Sequence, residues 1–201
     1  MPIESGLEKI LGFSRMLHKF RLVERAYFAN GTDRMENDTE HSFNLALLAW
    51  YIADSQKLDL DKDLLLRYAL IHDIPEVHAG DTYIYSKDAE HLASKNDREK
   101  MAQEKLREDF PDFSDFHLFL EQYLRREDKE SRFIYALDKI LPIIDIFLDK
   151  GRSWQEHKVS LQMLIENKTL KVKISPEVEK YFNELVTILQ ENQAEIFPQE
   201  Q

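Results

Sequence analysis

The chain has 201 residues, 43% of them hydrophobic, which is enough for one domain with a full core. It contains no cysteine, which excludes disulfides, thiolate zinc sites and a thiol nucleophile. The formal net charge of −11 argues against a general binder of nucleic acids or anionic membranes, although local cations could still attract a small anionic substrate. With 5 glycines and 6 prolines, the composition favours helices over a many-stranded sandwich.

Nothing in the chain indicates export or membrane insertion. Residues 1–5 lack a basic region followed by an apolar run, so no signal peptide is expected. No stretch approaches the length of a membrane span. The cytoplasm is therefore the expected location.

Helical periodicity predicts a first amphipathic helix over residues 4–20. Residues 21–38 then change character and are typical of a loop, with a turn at Asn30-Gly31 and two arginines, Arg25 and Arg34. Loops on a rigid scaffold often carry binding groups. For any single arginine, however, a solvated surface charge is the simpler interpretation.

A second helix is predicted from Asp38 or Thr39, either of which can cap it, to about residue 56. His41 shares a face of this helix with the apolar residues Leu45 and Ile52, so its side chain points inward. A histidine in this position is more often a satisfied core residue than a metal ligand. Both interpretations stay open at this point.

The third predicted helix covers residues 61–72 and ends in an apolar run that contains His72 and Asp73. Ionisable groups in such a run cost folding free energy unless each has a partner. A divalent cation would suit both, and the alternative is a buried histidine hydrogen-bonded to the neighbouring aspartate. Pro75 ends or kinks the helix, so Glu76 begins a new turn. Gly80 would end that turn and Asp81 would begin a loop over residues 82–87.

Further helices are predicted over residues 88–109, 113–124, 130–150, 153–166 and 175–193. The aromatic-rich segment 113–124 is either core or a subunit interface. Asp138 lies within the buried stripe of segment 130–150 and therefore needs a partner even more than a histidine does. Val172 and Ile174 could form a brief extended piece. No repeat or domain linker is visible.

Four residues that need partners thus lie on three separate helices: His41, His72, Asp73 and Asp138. Two imidazoles and two carboxylates suit one divalent metal ion, such as Mn, Co, Fe or Zn, and Mg less well. Four protein ligands on an octahedral ion leave two positions open, whereas a structural zinc fills its positions and prefers thiolates. The pattern therefore favours a catalytic metal site.

The order His…His-Asp…Asp resembles the HD-domain metal-dependent phosphohydrolases, and most closely the bacterial 5′-deoxynucleotidases and the related HD-domain-containing protein 2 group. Two runs carry the resemblance: Arg-Met-Glu-Asn-Asp-Thr-Glu-His at residues 34–41 and His-Asp-Ile-Pro-Glu-Val-His-Ala-Gly-Asp at residues 72–81. The similarity covers roughly residues 10–150. It implies an all-α, single-domain HD fold over residues 1–201, with roughly seven to nine helices around a buried metal site. The metal core would span about 34–145, with C-terminal helices over 153–193 packing on it.

The sequence departs from that group in two places. Ala26 stands where the deoxynucleotidases have a tryptophan, and the loop over residues 82–87 lacks the proline that they tend to have. Both regions shape the sugar and base pocket, so the selectivity for base and sugar is left open.

The resemblance implies a 5′-nucleotidase that hydrolyses (deoxy)ribonucleoside 5′-monophosphates and has no nucleic-acid polymer as partner. Glu76 would transfer a proton and Asp81 would orient water or contact the sugar, the alternatives being a helix-start carboxylate and a loop cap. A homodimer is also expected, from the same group and from the aromatic segment 113–124. The alternative functions are hydrolysis of a nucleoside triphosphate, cyclic nucleotide or guanosine polyphosphate, and a degenerate metal-containing binding module. The implied roles are metal ligation by His41, His72, Asp73 and Asp138, catalysis by Glu76 and Asp81, and phosphate binding by Arg25, Arg34 and Lys87. The remaining histidines, His18, His78, His91, His117 and His157, are interpreted as structural or surface residues.

Overall fold

A computed structural model of the protein describes residues 6–83, 85 and 88–198. The chain is mainly helical, as the all-α prediction requires. Within the described residues, eight helices have ten residues or more, inside the predicted range of seven to nine, and four shorter helices join them. The helices are α1 Gly6–Phe20, α2 Asp38–Ser55, α3 Lys62–Ile71, α4 Glu76–Ala79, α5 Ala89–Ala93, α6 Lys95–Asp109, α7 Ser114–Arg125, α8 Lys129–Leu148, α9 Arg152–His157, α10 Leu161–Val172, α11 Pro176–Glu191 and α12 Gln193–Ile196; the strands are β1 Glu24–Phe28 and β2 Met35–Asn37.

Helix α8 forms the centre of the core. Its residues Phe133, Ile134, Leu137 and Ile140 are almost completely buried, as expected for a helix that is apolar on several faces. Helices α2, α3, α7, α10 and α11 all pack against it. Asp128 caps its N-terminus by accepting a hydrogen bond from the backbone N–H of Ser131. A side chain on α8 can therefore face a site shared by elements from both halves of the chain.

The segment predicted as a loop over residues 21–38 contains an antiparallel hairpin of β1 and β2. The predicted turn at Asn30-Gly31 is confirmed, with Gly31 at φ 75°. The strands were missed because their sequences do not alternate between apolar and polar residues, and only Tyr27 and Glu36 are buried in them. The hairpin brings Arg25 beside the first turn of α2.

Helix α2 begins immediately after β2. Asn37, rather than Asp38 or Thr39, is the cap, and its side chain accepts hydrogen bonds from the N–H groups of Thr39 and Glu40. Glu40 completes a capping box by accepting from the Asn37 backbone. This cap fixes where the helix starts and so places Asp38 and His41 in its first turn, facing the core.

Helix α3 is capped at its N-terminus by Asp61, as predicted, and ends at Ile71 with His72 as its C-terminal cap. Helix α4 then begins at Glu76 and is closed by Gly80 at φ 73°. Three other predicted elements differ from the structure. Residues 88–109 form two helices, α5 and α6, and residues 153–166 contain α9 and the start of α10. The described residues around Val172, which ends α10, contain no strand.

The C-terminal helices α10 and α11 lie against α8, and α9 lies against β1. These contacts are compatible with the single domain predicted over residues 1–201, which stays a prediction. Among the described helices, none is long and apolar enough to cross a membrane.

Candidate metal centre

The structure brings together the four residues predicted as metal ligands. Their side-chain donor atoms all lie within 4.8 Å of one another. His41 Nε2 is 3.0 Å from Asp138 Oδ1 and 4.0 Å from Asp73 Oδ2, and His72 Nε2 is 3.0 Å from Asp73 Oδ2 and 3.7 Å from Asp138 Oδ1. Helices α2, α3 and α8 supply this cluster, because the C-terminal end of α3 and the first turn of α2 both meet the middle of α8.

Each histidine is oriented through its other ring nitrogen. His72 Nδ1 lies 2.9 Å from the Ala69 carbonyl oxygen, so Nδ1–H donates and Nε2 faces the cluster. His41 Nδ1 lies 3.3 Å from the Tyr27 hydroxyl, which itself donates to Glu36. Both Nε2 atoms are thereby aimed at the two aspartates.

A divalent ion fits this donor set. Two atoms that each lie about 2.1 Å from an ion in regular geometry are about 3 to 4.2 Å apart, which matches the four nitrogen–oxygen separations. His72 Nε2 is buried and, among the described residues, has no hydrogen bond of acceptable geometry. Burial alone would lower the pKa of His72, but the carboxylates of Asp73 and Asp138 outweigh it and raise that pKa to about 10. Such a field favours a bound cation.

Two further buried carboxylates, neither of them predicted to belong to the site, lie next to the cluster. Asp38 is completely buried, and its Oδ1 accepts a 3.0 Å hydrogen bond from Arg25 Nη1, which also donates to Asp73 Oδ2 over 2.8 Å. Burial and the Asp73 charge raise the pKa of Asp38 to about 7 against the lowering effect of Arg25. Glu36 lies behind His41, on the hydroxyl of Tyr27. Both residues occur in the quoted 34–41 run, but their partners are distant in sequence and gave no local signal.

The two predicted catalytic carboxylates, Glu76 and Asp81, both line the cavity beside the cluster. Glu76 Oε2 is buried without a hydrogen-bond partner in the described part of the chain. Burial and the charges of Asp73 and Asp38 raise the pKa of Glu76 well above its usual value. Burial likewise raises the pKa of Asp81. A carboxyl group that is easily protonated beside a metal centre can hold and release a proton.

The predicted phosphate-binding residues are divided by the structure. Arg25 lines the cavity. Arg34 is exposed, donates to Glu40 over 2.7 Å and does not line the cavity, so the structure does not bring it to the site. The reason is the capping box, which holds Glu40 at the outer side of the α2 start, where Arg34 pairs with it. Lys87 lies outside the described residues.

The metal cluster opens into a cavity of about 370 Å³. One part of the cavity wall is aromatic: the rings of Tyr83 and His157 are 5.1 Å apart, and those of Tyr83 and Tyr85 are 5.6 Å apart. Another part is basic, with Lys139 on α8 and Lys168 and Lys171 on α10. Tyr83 and Tyr85 belong to the loop over residues 82–87, which was expected to shape the pocket. The other residues of these two parts of the wall, His157, Lys139, Lys168 and Lys171, were not predicted to reach the site, because each lies on a helix without a local motif.

Fold and site together define a helical protein with a buried His/Asp metal centre that opens to a cavity. The HD domain family matches residues 17–179, which is most of the chain. The chain therefore belongs to the HD domain family.

Curated relatives match over a shorter part. The chain is 27% identical over 137 residues to the 5′-deoxynucleotidase HDDC2 of Homo sapiens and 27% identical over 138 residues to that of Xenopus laevis. The match covers 67% of this chain in both cases, and 65% and 66% of the respective relatives. The chain thus spans about two thirds of the length of these relatives, slightly less for the human one.

Solved structures match over almost the whole chain. The crystal structure of a predicted metal-dependent phosphohydrolase from Magnetospirillum magnetotacticum MS-1 has a TM-score of 0.80 and 27% identity, and the match covers 98% of this chain and 100% of that one. The PH0347 protein of Pyrococcus horikoshii OT3 has a TM-score of 0.61 and 19% identity, over 92% of this chain and 98% of that one. The second likeness shows the fold alone.

Proposed function

We propose that this protein is a metal-dependent phosphohydrolase that removes phosphate from nucleoside 5′-monophosphates, ribo or deoxy. One observation carries the proposal: two imidazole nitrogens and two carboxylate oxygens converge within 4.8 Å at the base of a cavity that also contains acidic and basic side chains. The similarity to relatives named 5′-deoxynucleotidase and to a structure named metal-dependent phosphohydrolase supports the same reaction class.

His41, His72, Asp73 and Asp138 would hold the metal. A divalent ion bound there would supply Lewis-acid activation of water and of the phosphoryl group. Arg25 orients Asp73 through its 2.8 Å hydrogen bond and adds positive charge beside the site. Arg25 Nη1 is shared between two carboxylates, so its charge is largely compensated within the protein.

Glu76 would move the proton. Its Oε2 is buried and unpartnered among the described residues, and an oxygen of Glu76 lies within 4.8 Å of oxygens of Asp73 and Asp38. A carboxyl group in this position can accept a proton from the attacking water or give one to the leaving alcohol. Asp81, further along the same wall, would orient water or contact the sugar.

The aromatic part of the wall supports a nucleoside as leaving group. Tyr83, Tyr85 and His157 line the cavity into which the metal cluster opens, and bases stack on aromatic rings without strong preference for base type. They could replace the contact that is lost at Ala26.

A cysteine-free chain also suits the cytoplasmic location that we propose for the enzyme.

A homodimer is proposed as well. The aromatic residues Phe116 and Tyr123 of α7 are buried in the chain itself, whereas Leu118 of α7 and the preceding Phe113 are exposed. A more extensive exposed stripe lies on α2. Light scattering would give the mass of wild type and of Trp50→Glu, and a monomeric wild type would contradict the proposal. The exposed apolar residues of that stripe are Phe43, Leu47, Trp50 and Tyr51.

The experiment that tests the function measures phosphate release from a panel of ribo- and deoxyribonucleoside 5′-monophosphates. Mn²⁺, Co²⁺, Mg²⁺ and Zn²⁺ are added in turn to metal-stripped protein. Wild type is compared with Asp73→Ala, Glu76→Gln and the control Glu104→Ala, whose side chain is exposed on α6. We expect metal-dependent release that Asp73→Ala loses together with the metal, and that Glu76→Gln loses while the metal is retained.

Two results would contradict parts of the proposal. If no monophosphate is hydrolysed although metal binds stoichiometrically, the monophosphate substrate is wrong, and triphosphates and cyclic nucleotides are tested next. If Glu76→Gln retains full activity, Glu76 has no role in proton transfer. A loss of activity in Glu104→Ala would show that the assay responds to unrelated changes.

A further inference from the structure

Lys168 is a buried cation on the cavity wall. It lies on α10, far from the metal motifs in sequence, and its side chain is only 8% exposed. The residue lines the cavity. In the part of the chain that the structure describes, it makes neither a hydrogen bond nor an ion pair. An ammonium group without a partner is unfavourable in so buried a residue, and an anion in the cavity would offset that cost.

The neighbouring cations have partners. Lys139 pairs with Asp138, and Lys171 donates to Asn167 over 2.9 Å. Arg25, on β1, is shared by Asp38 and Asp73. Lys168 therefore differs from Lys139, Lys171 and Arg25 in having no hydrogen-bond or ion-pair partner among the described side chains.

The surroundings of Lys168 match an anion-binding role. Burial, followed by the charges of Lys139 and Lys171 with a minor contribution from Arg25, lowers the pKa of Lys168 to about 7, whereas Asp138 opposes this. An anion between these cations would oppose the effects of burial and of the neighbouring positive charges. It would raise the pKa of Lys168 and stabilise its protonated form. Lys168 and Asp138, a proposed metal ligand, line the same cavity, so the ammonium group faces the space in which the reaction would occur.

We propose that Lys168 binds the phosphoryl group of the substrate from the α10 wall, with Lys139 and Lys171 completing a cationic subsite. The ligand class is a phosphomonoester dianion, and the proposal rests on the proposed function in taking the hydrolysed phosphate as that anion. Arg25 is compensated by two carboxylates, so Lys168 supplies the positive charge that the dianion needs. The role is one of binding and charge neutralisation and includes no covalent step.

The test uses inorganic phosphate as probe and isothermal titration calorimetry on metal-loaded protein. Wild type is compared with Lys168→Met, Lys168→Arg and Lys173→Met, a matched control at the exposed end of the same helix. Loss of a charge-assisted hydrogen bond predicts at least about tenfold weaker phosphate binding in Lys168→Met. Lys168→Arg should recover part of the affinity, and Lys173→Met should bind like wild type. For a hydrolysed monophosphate, KM should rise more than kcat falls.

A second measurement separates binding from a structural role. The unfolding midpoint in urea, without phosphate, should be unchanged or higher in Lys168→Met, since the variant removes an unpartnered buried charge. Phosphate binding that equals wild type in Lys168→Met would overturn the proposal. A Lys168→Met protein that is less stable than wild type, with no recovery by Lys168→Arg, would also overturn it by showing a structural lysine.

The proposed function can fail separately. If wild type hydrolyses no phosphomonoester but loses phosphate affinity in Lys168→Met, the anion subsite stands and the nucleotidase function is wrong. If wild type is an active nucleotidase and Lys168→Met has an unchanged KM and phosphate affinity, the function stands and the subsite is wrong.

Discussion

At the scale of single residues, the described part of the metal centre contains more buried carboxylates than cations that pair with them. Asp38, Asp73 and Asp138 are buried or nearly so, and Arg25 and Lys139 are the side chains that donate to them. Removing one member of such a network leaves another charge buried without compensation. We therefore expect large effects from single substitutions here and small ones on the surface.

Arg25 and Arg34 form a matched pair for this expectation. Replacing Arg25 by Met leaves Asp38 without its partner at zero exposure, so the free energy of unfolding should fall by about 3 to 5 kcal/mol. Arg34 is paired with Glu40 at the surface, where solvent screens the ion pair, so Arg34→Met should leave the free energy of unfolding almost unchanged. Urea unfolding of metal-free protein measures both. Equal losses would show that the Arg25 network contributes no more than a surface ion pair.

Lys168 predicts a specific pH dependence of stability. Its pKa is about 7 in the folded protein and about 10.4 in an unfolded chain. Between these values the unfolded chain binds a proton that the folded protein lacks, so stability rises with pH. The buried charge of Lys168 therefore lowers the free energy of unfolding by its full amount below about pH 7, and this effect disappears towards pH 10.

Lys168→Met removes that contribution. In metal-free and phosphate-free protein, the variant should be more stable than wild type by on the order of 4 kcal/mol at pH 7, with a smaller difference at pH 9.5. Urea unfolding at the two pH values measures the difference, and Lys173→Met should show no such change. If the stability difference between Lys168→Met and wild type is the same at both pH values, the pKa of Lys168 is not lowered in the folded protein.

At the scale of elements, local signals account for much of what the sequence predicted correctly. Asp61 and Gly80 mark helix ends through chemistry that acts within a few residues, and both ends are confirmed. The face of α1 was not predictable in this way. Leu7, Ile10 and Leu11 follow helical spacing but are exposed, whereas Met16 and Phe20 are buried. Periodicity identifies the apolar side of a helix, but only the tertiary fold determines whether that side is covered.

The same distinction applies to the candidate site. His72 and Asp73 stand out because charged groups interrupt an apolar run, and the structure brings them beside His41 and Asp138. Lys168 is an ordinary polar residue of an amphipathic helix until the fold places it on the cavity wall. Its relation to Asp138 spans two helices, so no local pattern encodes it.

Gly151 joins α8 to α9 at a point where two backbones nearly touch. A Cβ atom there would lie 2.0 Å from the Ile196 carbonyl oxygen, and φ is 75°. Gly151→Ala should lower the free energy of unfolding by about 3 kcal/mol, from left-handed backbone strain and from displacement of α12. Thermal or urea unfolding measures the loss.

Gly31 provides the control for Gly151. It has the same φ of 75°, but an added Cβ atom would meet nothing within 4 Å. Gly31→Ala should therefore lose only about 1 kcal/mol, from backbone strain alone. If both variants lose the same amount of unfolding free energy, the clash of the added Cβ atom with Ile196 has no measurable cost.

At the scale of the whole molecule, the metal cluster joins α2, α3 and α8 into one unit. A ligand that binds only the folded state stabilises it in proportion to the logarithm of its concentration. Adding a divalent ion at about 100 times its Kd should raise the free energy of unfolding by about 2.7 kcal/mol. Melting curves with and without a chelator measure this, and Asp73→Ala should show no response. An unchanged midpoint in wild type would exclude tight binding at this cluster.

The separation of the ligands along the chain has a consequence for biosynthesis. Asp138 lies 97 residues after His41. A chain leaves the ribosome from its N-terminus, so His41, His72 and Asp73 emerge before the last ligand is made. An ion that meets the nascent chain finds an incomplete set of ligands and exchanges freely. The choice of metal is therefore made after translation, from the ions available where the finished chain folds.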